Sequence, residues 1–397
     1  MNPNNLKHSH PVPLLILGGS ANALSIVRSL GKQKIPVYFS GLSGSHAQYS
    51  RYCAGAFPYH SGETVKTFWR NLLLSPDNQF PEGTVIFACE DAALEFVIEY
   101  FPELEKRYRL GDSTPELLAT FLNKQKTLEL ARKIDFPHPG FWNYSLNGNL
   151  DLETDHLAFP VIIKPILSHR FQNAFNGRKY FIAENREQLL RSLKLLKDKQ
   201  LEALITEIIP GPDHLLASYN AYIKKDGQPL YEYTKSIVRR YPVNEGLASC
   251  HKLEWLPEIA DIGKKFVKKS CIKGFFNIEL KYDSRDNQYK IIEVNPRFTA
   301  HQPLIVKAGL NTAELVYRYL LGEKVAGVKL EYHPIRLWYP SRDVRAFWQL
   351  NREKAISLSE YLSSLKGTVC FPFYERGDTI ALLKSGFKKV KRKLLKS

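Results

Sequence analysis

The 397-residue sequence predicts a mixed fold, an open parallel α/β domain followed by an α+β region, and three observations carry that prediction. Near the start, an apolar run at residues 12–17 ends in Gly18-Gly19-Ser20. Helical periodicity follows over residues 21–30, and then a second apolar run at residues 35–39, which together make a strand–turn–helix–strand unit. Past the midpoint, alternating strands are joined by tight turns such as Asp226-Gly227, the signature of antiparallel pairing. The chain is also longer than one hydrophobic core usually serves. The expected division is 1–115 as the parallel α/β domain, 116–323 as the α+β domain (116–203 and 204–323 as its two halves), and 324–397 as a small C-terminal extension with a basic tail.

Taken in order, residues 84–88 repeat the strand theme, with Glu90 and Asp91 at the carboxyl end, where open α/β sheets place their ligands. Helices begin at Pro115-Glu116 and at Asn123-Lys124, the second ending near Asp135. Residues 159–165 form a strand finishing in Lys164 and Pro165, and Asn176-Gly177-Arg178 reads as a hairpin turn into a return strand at 179–183. An amphipathic helix covers 187–197. Residues 204–211 form a strand broken by Pro210-Gly211. Strands at 218–223 and 230–238, a basic helix at 259–270 and a hairpin of 275–282 with 288–294 complete the region.

Composition excludes several classes. No apolar run reaches the roughly 18–20 residues that span a bilayer. The five cysteines (Cys53, Cys89, Cys250, Cys271, Cys370) include no C-x-x-C pair, so neither a zinc site nor a disulfide framework is indicated, and a cytoplasmic location is expected. The glycine turn lacks the G-x-G-x-x-G fingerprint, and Ser40 stands where an acidic ribose ligand belongs, which disfavours nicotinamide or flavin binding. Of the net charge of +16, seven positives fall in the tail, where Lys384, Lys388, Lys389, Lys391, Arg392, Lys393 and Lys396 meet no acid. Such a tail is either a solvated terminus or an interaction segment, and Phe387, Val390, Leu394 and Leu395, interleaved at near-helical spacing, favour an anionic membrane face over nucleic acid as the partner in the second case.

The chemistry concentrates in the last hairpin. Side chains alternate along a strand, so Asn277 and Glu279 share a face, as do Glu293, Asn295 and Arg297. A short turn brings Glu279 and Glu293 side by side, and like charges so placed among apolar neighbours call for a cation. Two carboxylates and an amide offer hard oxygen donors suited to Mg2+ (or Mn2+), which completes its shell with water and nucleotide phosphate. Arg297 stands ready for a phosphate or carboxylate.

This hairpin resembles the metal site of the ATP-grasp superfamily, whose second strand reads Glu-x-Asn-x-Arg. Other segments match in order over roughly residues 115–320. Lys124 and Lys164 resemble the two lysines that contact phosphates. The segment Thr206-Glu207-Ile208-Ile209-Pro210-Gly211 is similar to the hinge whose backbone holds adenine, and Asp213 sits where an acid takes the ribose hydroxyls. Residues 1–115 then correspond to the domain that precedes an ATP-grasp domain. The segment over the phosphates, commonly glycine-rich, here contains Ser168, His169 and Arg170 and a single glycine, Gly177. Within the superfamily the chain resembles the carboxylate–amine ligases of the D-aspartate ligase-like group, through Cys89-Glu90-Asp91-Ala92, the basic segment from Lys235 to Pro242, and Ser341-Arg342-Asp343.

The resemblance implies an ATP- and magnesium-dependent ligase that activates a small carboxylate and joins it to an amine. The metal would rest on Glu279, Glu293 and Asn295. The nucleotide would rest on Lys124, Lys164, Glu207, Ile208, Ile209 and Asp213, with Ser168 and His169 above it. Arg297, Arg239, Arg240 and Lys235 would steady the transferring phosphoryl group and the acylphosphate. Kinase or bicarbonate-dependent carboxylating chemistry shares this nucleotide site. Neither a general base nor an oligomeric state follows from the sequence, although His251 and His301 are base candidates.

Overall fold

The computed structural model describes residues 11–60, 62–146, 157–166, 171, 174, 175, 180–326, 328, 330 and 332–394. Strands β1 (Leu14–Leu17), β2 (Val37–Leu42), β3 (Gly55–Tyr59) and β4 (Val85–Ala88) form a parallel sheet of order β3-β2-β1-β4. All four residues of β1 are fully buried, as expected for a strand covered on both faces. The next four strands, β5 (Phe141–Tyr144), β6 (Val161–Pro165), β7 (Phe181–Ala183) and β8 (Ala203–Glu207), make a second sheet of order β5-β8-β6-β7, antiparallel throughout.

The third and largest sheet contains β9 (Leu216–Ile223), β10 (Pro229–Tyr241), β11 (Leu247–Leu253), β12 (Gly274–Asp283), β13 (Gln288–Asn295), β14 (Ile335–Trp338) and β15 (Thr368–Cys370). Its order is β13-β12-β9-β10-β11-β14-β15, with only β14–β15 parallel among these pairs. The fold class is therefore the one expected, parallel first and antiparallel after. Five strands were not anticipated, β3 and β5 in the smaller sheets and β11, β14 and β15 in this one. β11 carries the weak pattern Leu-Ala-Ser-Cys-His-Lys-Leu, and β14 and β15 come from residues 324–397, which extend this sheet at its edge.

Local sequence accounts for the helix that begins the site. Asn123 caps the helix Lys124–Lys133 by accepting from the Lys126 amide at 3.1 Å, so Lys124 becomes its first residue. The helix Pro257–Ser270 packs close to β9 through Gly263, where a Cβ would fall 2.3 Å from the Tyr219 ring. One core cluster joins Leu14, Ile16 and Phe87 of the parallel sheet to Leu304, Ile305, Val316, Ile335 and Leu337. Burying each such side chain stabilises by roughly 1.5–3 kcal/mol, so the first domain and the large sheet are fastened directly. The C-terminal segment is tied to the same body. Arg28 Nε donates to Asp378 at 2.8 Å, the Arg51 amide to the same carboxylate at 2.9 Å, and Ser385 Oγ to the Gly44 carbonyl at 2.7 Å.

Candidate active site

Strand register puts the polar residues of the large sheet in two adjacent rows. Glu293 pairs with Glu279, Glu279 with Ser218, and Ser218 with Lys235. One step along, Asn295 pairs with Asn277, Asn277 with Asn220, and Asn220 with Tyr233. These positions differ by two on each strand, so both rows lie on one face. The hairpin thus places Glu279 and Glu293 directly opposite one another, with Asn295 beside them.

Charge in this face is unbalanced in an instructive way. Burial holds the Glu279 carboxyl above its usual range, against the pull of Lys235 and with Glu293 adding to the rise. Lys235 is 1% exposed, and burial lowers its pKa. Neither Glu279 nor Lys235 has a hydrogen bond or ion pair among the described residues. His251 and His301 lie in the same buried region with ring centroids 5.8 Å apart, and burial pushes both well below the ordinary histidine value.

The two lysines expected at the phosphates converge on this face from different elements. Lys124 Nζ lies 3.3 Å from Glu293 Oε1, and that carboxylate raises its pKa. A cation in the first turn of a helix opposes the helix dipole, so anionic phosphate there would relieve both charges. Lys164, at the end of β6, is brought down to about 8 by burial and then by Lys124. As pH rises through that value, the free protein loses a charge that polyphosphate would favour. ADP affinity is therefore expected to weaken between about pH 7 and about pH 9, with proton uptake on binding near the middle of that range. Calorimetry in two buffers of different ionisation enthalpy measures this, and affinity that is flat with pH and free of proton uptake would remove Lys164 from the site.

The expected hinge is held at its edges. Glu207 accepts from the Gly140 amide at 2.7 Å and pairs with Arg285 at 2.9 Å, so its carboxylate is engaged within the protein. Lys281 Nζ donates to the carbonyls of Ile209 (2.8 Å) and Gly211 (2.7 Å), which fixes the chain just past Ile208. Nothing in the sequence singled out Lys281 or Asn220. Their partners lie tens of residues away on other elements.

Two expected site residues have partners within the protein. Arg239 is buried and committed: Nε and Nη2 donate to the two oxygens of Asp343 at 2.9 and 2.8 Å, Nη1 donates to Ser364 Oγ at 2.6 Å, and the guanidinium lies 4.8 Å from the Tyr361 ring centre. Neighbours on a strand face opposite sides, which parts Arg239 from Arg240, and the register shift between Ile237 and Arg239 takes Arg239 off the face of Lys235. Asp213, expected at the ribose, instead accepts from Arg240 Nε (2.6 Å), the Arg240 amide (3.1 Å) and the Asn244 amide (3.2 Å). Its oxygens hold Arg240 in place, and Arg240 acts electrostatically on both Glu279 and Lys164. Ser168 and His169 lie outside the described residues.

The first domain closes the site. Arg297 Nε donates to Asp91 Oδ1 at 2.7 Å. Asn22 Nδ2 donates to the carbonyls of Cys89 (2.8 Å) and Phe298 (2.9 Å). Glu90 fills the glycine turn, accepting from the Gly19 amide at 2.9 Å and the Tyr59 hydroxyl at 3.2 Å. Gly18 has φ +68°, and a Cβ there would meet Glu90 at 2.2 Å. The anion at this helix terminus is thus the chain's own.

No group of three or more His, Cys, Asp or Glu side chains suited to a metal occurs among the described residues. The donor set here, two opposed carboxylates and one amide, fits a hard cation that takes its remaining ligands from phosphate and water. Solved structures share this architecture. L-amino acid ligase from Bacillus licheniformis aligns with a TM-score of 0.60 at 18% identity, covering 82% of this chain and 78% of that one. N5-carboxyaminoimidazole synthetase from Staphylococcus aureus aligns at 0.60 and 14%, covering 83% and 82%. The fold is the one these solved structures have. In sequence, D-aspartate ligase from Enterococcus faecium is 25% identical over 406 residues, covering 95% of this chain and 93% of that protein. No family model matches. Lys164 of the second sheet and Glu293 of the third are near enough to act on each other electrostatically.

Proposed function

We propose that this chain is an ATP-dependent ligase that phosphorylates a small carboxylate and joins the resulting acylphosphate to an amine, releasing ADP and phosphate. The in-register pairing of Glu279 with Glu293 beside Asn295, opposite Lys124 and Lys164, carries the reading. A carboxylate is a poor acyl donor because its leaving group would be oxide, and transfer of the γ-phosphoryl group supplies a good one. Magnesium held by Glu279, Glu293 and Asn295 would neutralise charge on the phosphates during that transfer. Lys124 and Lys164 hold the nucleotide, and the backbone of Glu207, Ile208 and Ile209 takes the adenine. Arg240 and Arg297 orient the phosphoryl group, and buried Lys235 binds the carboxylate that receives it. The similarity to D-aspartate ligase supports an amino acid as the acid.

A panel of amino and hydroxy acids, scored for ADP and phosphate release with and without amines, tests the proposal. Release that requires both an acid and an amine is expected. Release that bicarbonate alone supports, or a phosphorylated product that accumulates unchanged, would overturn it.

The C-terminal helix Thr379–Leu394 supports a peripheral contact. Ile380 and Leu383 are exposed on it beside a run of lysines, and no helix among the described residues is long and apolar enough to cross a membrane. Salt-sensitive sedimentation with phosphatidylserine vesicles, lost on truncation after residue 378, checks it.

A further inference from the structure

We propose that Asn277, Asn220 and His301 form a hydrogen-bonded relay that turns the side-chain oxygen of Asn295 toward the bound cation, and that all three are positioning residues for the metal. The inference rests on the reading above that Glu279, Glu293 and Asn295 hold that cation.

The relay is continuous and mostly buried. Asn295 Nδ2 donates to Asn277 Oδ1 at 3.2 Å, and Asn277 Nδ2 donates to Asn220 Oδ1 at 2.8 Å. Asn220 Nδ2 donates to Ser218 Oγ at 3.2 Å, which crosses to the row that contains Glu279. At the far end, His301 Nε2 lies 3.1 Å from Asn220 Oδ1 and 3.1 Å from the Tyr233 hydroxyl, with Thr299 Oγ1 2.9 Å from its Nδ1. Asn220 Oδ1 can only accept, so Nε2 carries the imidazole hydrogen.

A chain of amides has two polarities, and its ends decide between them. With hydrogen on His301 Nε2, Asn220 turns its oxygen to both His301 and Asn277, Asn277 gives its nitrogen to Asn220, and Asn295 spends its nitrogen on Asn277. Its oxygen is left for the cleft, which is the polarity a cation requires. With the opposite polarity Asn295 would offer an NH2 group to the metal. A lone asparagine flips at little energetic cost; one locked through Asn277 and Asn220 on neighbouring strands and His301 at a helix start does not. All three partners are buried, so their effect on a bound cation passes through Asn295.

Direct Mn2+ binding separates this role from general loss of activity. In the presence of ADP, the Asn277→Leu protein is expected to bind Mn2+, read by electron paramagnetic resonance, roughly 10–100-fold more weakly than wild type, the usual cost of losing an outer partner of a metal ligand. ADP binding in excess chelator is expected to be unchanged. Should Asn277→Leu fail to fold, the far end decides: His301→Leu is expected to weaken Mn2+ similarly, and His301→Gln, whose amide can donate in place of Nε2, to restore it. Wild-type Mn2+ affinity in folded Asn277→Leu, or in both His301 variants, would overturn the relay. A wild-type protein with no ADP-dependent Mn2+ site would overturn the metal reading beneath it, and the relay with it.

Discussion

The Glu293→Ala protein is expected to release ADP at least about 10³-fold more slowly than wild type at saturating substrates. That loss corresponds to about 4 kcal/mol, the scale at which a catalytic metal stabilises charge in phosphoryl transfer. The magnitude follows from what Glu293 does in the row. It faces Glu279 across the strand pair, and it is the carboxylate nearest Lys124. Its removal leaves one carboxylate and one amide, too few protein oxygens to retain a cation that also sheds water reluctantly. It also frees Lys124 to bind phosphate without competition, so nucleotide affinity measured without metal is expected to hold or rise while turnover collapses. Glu279 would then ionise more readily, since Glu293 contributes to its raised pKa. Steady-state ADP release and chelator-treated ADP binding, measured on the same preparation, separate these effects. An active Glu293→Ala protein would sink the assignment of the site.

How far the sequence discloses such a site depends on the distance over which its parts are specified. The hairpin is legible because everything that places Glu279 against Glu293 is local: two alternating strands and a short turn. The capped start at Asn123-Lys124 is legible for the same reason, since the cap lies within one turn. The internal partners of Asp213 and Arg239 are not legible because they are remote. Arg240 lies 27 residues beyond Asp213, and Asp343 lies 104 residues beyond Arg239. A basic strand invites the reading that its cations face a ligand, and alternation would group Arg239 with Lys235, but a register shift before Arg239 separates the two, and no pattern in the sequence marks that shift. Asn220 was passed over for a related reason. An asparagine in an otherwise apolar strand gains meaning only when the neighbouring strand places Asn277 beside it.

Replacing Arg239 with alanine is expected to destabilise the protein by about 3–5 kcal/mol, the cost of leaving one partner of a buried ion pair behind. Asp343 is fully buried, and Arg239 supplies two of its hydrogen bonds; Ser249 Oγ at 2.7 Å and Trp338 Nε1 at 2.9 Å supply the others. Two neutral donors do not balance a carboxylate in that position. The penalty falls on a joint, because Asp343 belongs to the helix Pro340–Arg352, which packs on β10 and β11. Denaturant unfolding followed by tryptophan fluorescence reads it, with Trp338 as a reporter in contact with the carboxylate. Replacing Arg239 with methionine and Asp343 with leucine together is expected to recover most of the loss, since an apolar pair of similar volume commonly matches or exceeds a buried salt bridge. The functional consequence distinguishes this structural role from a catalytic one. Under conditions where it stays folded, the double variant is expected to keep ADP affinity and ADP release within a few-fold of wild type. A folded double variant that has lost turnover by orders of magnitude would return Arg239 to the reacting groups, and the acylphosphate would then have a second guanidinium beside Arg240.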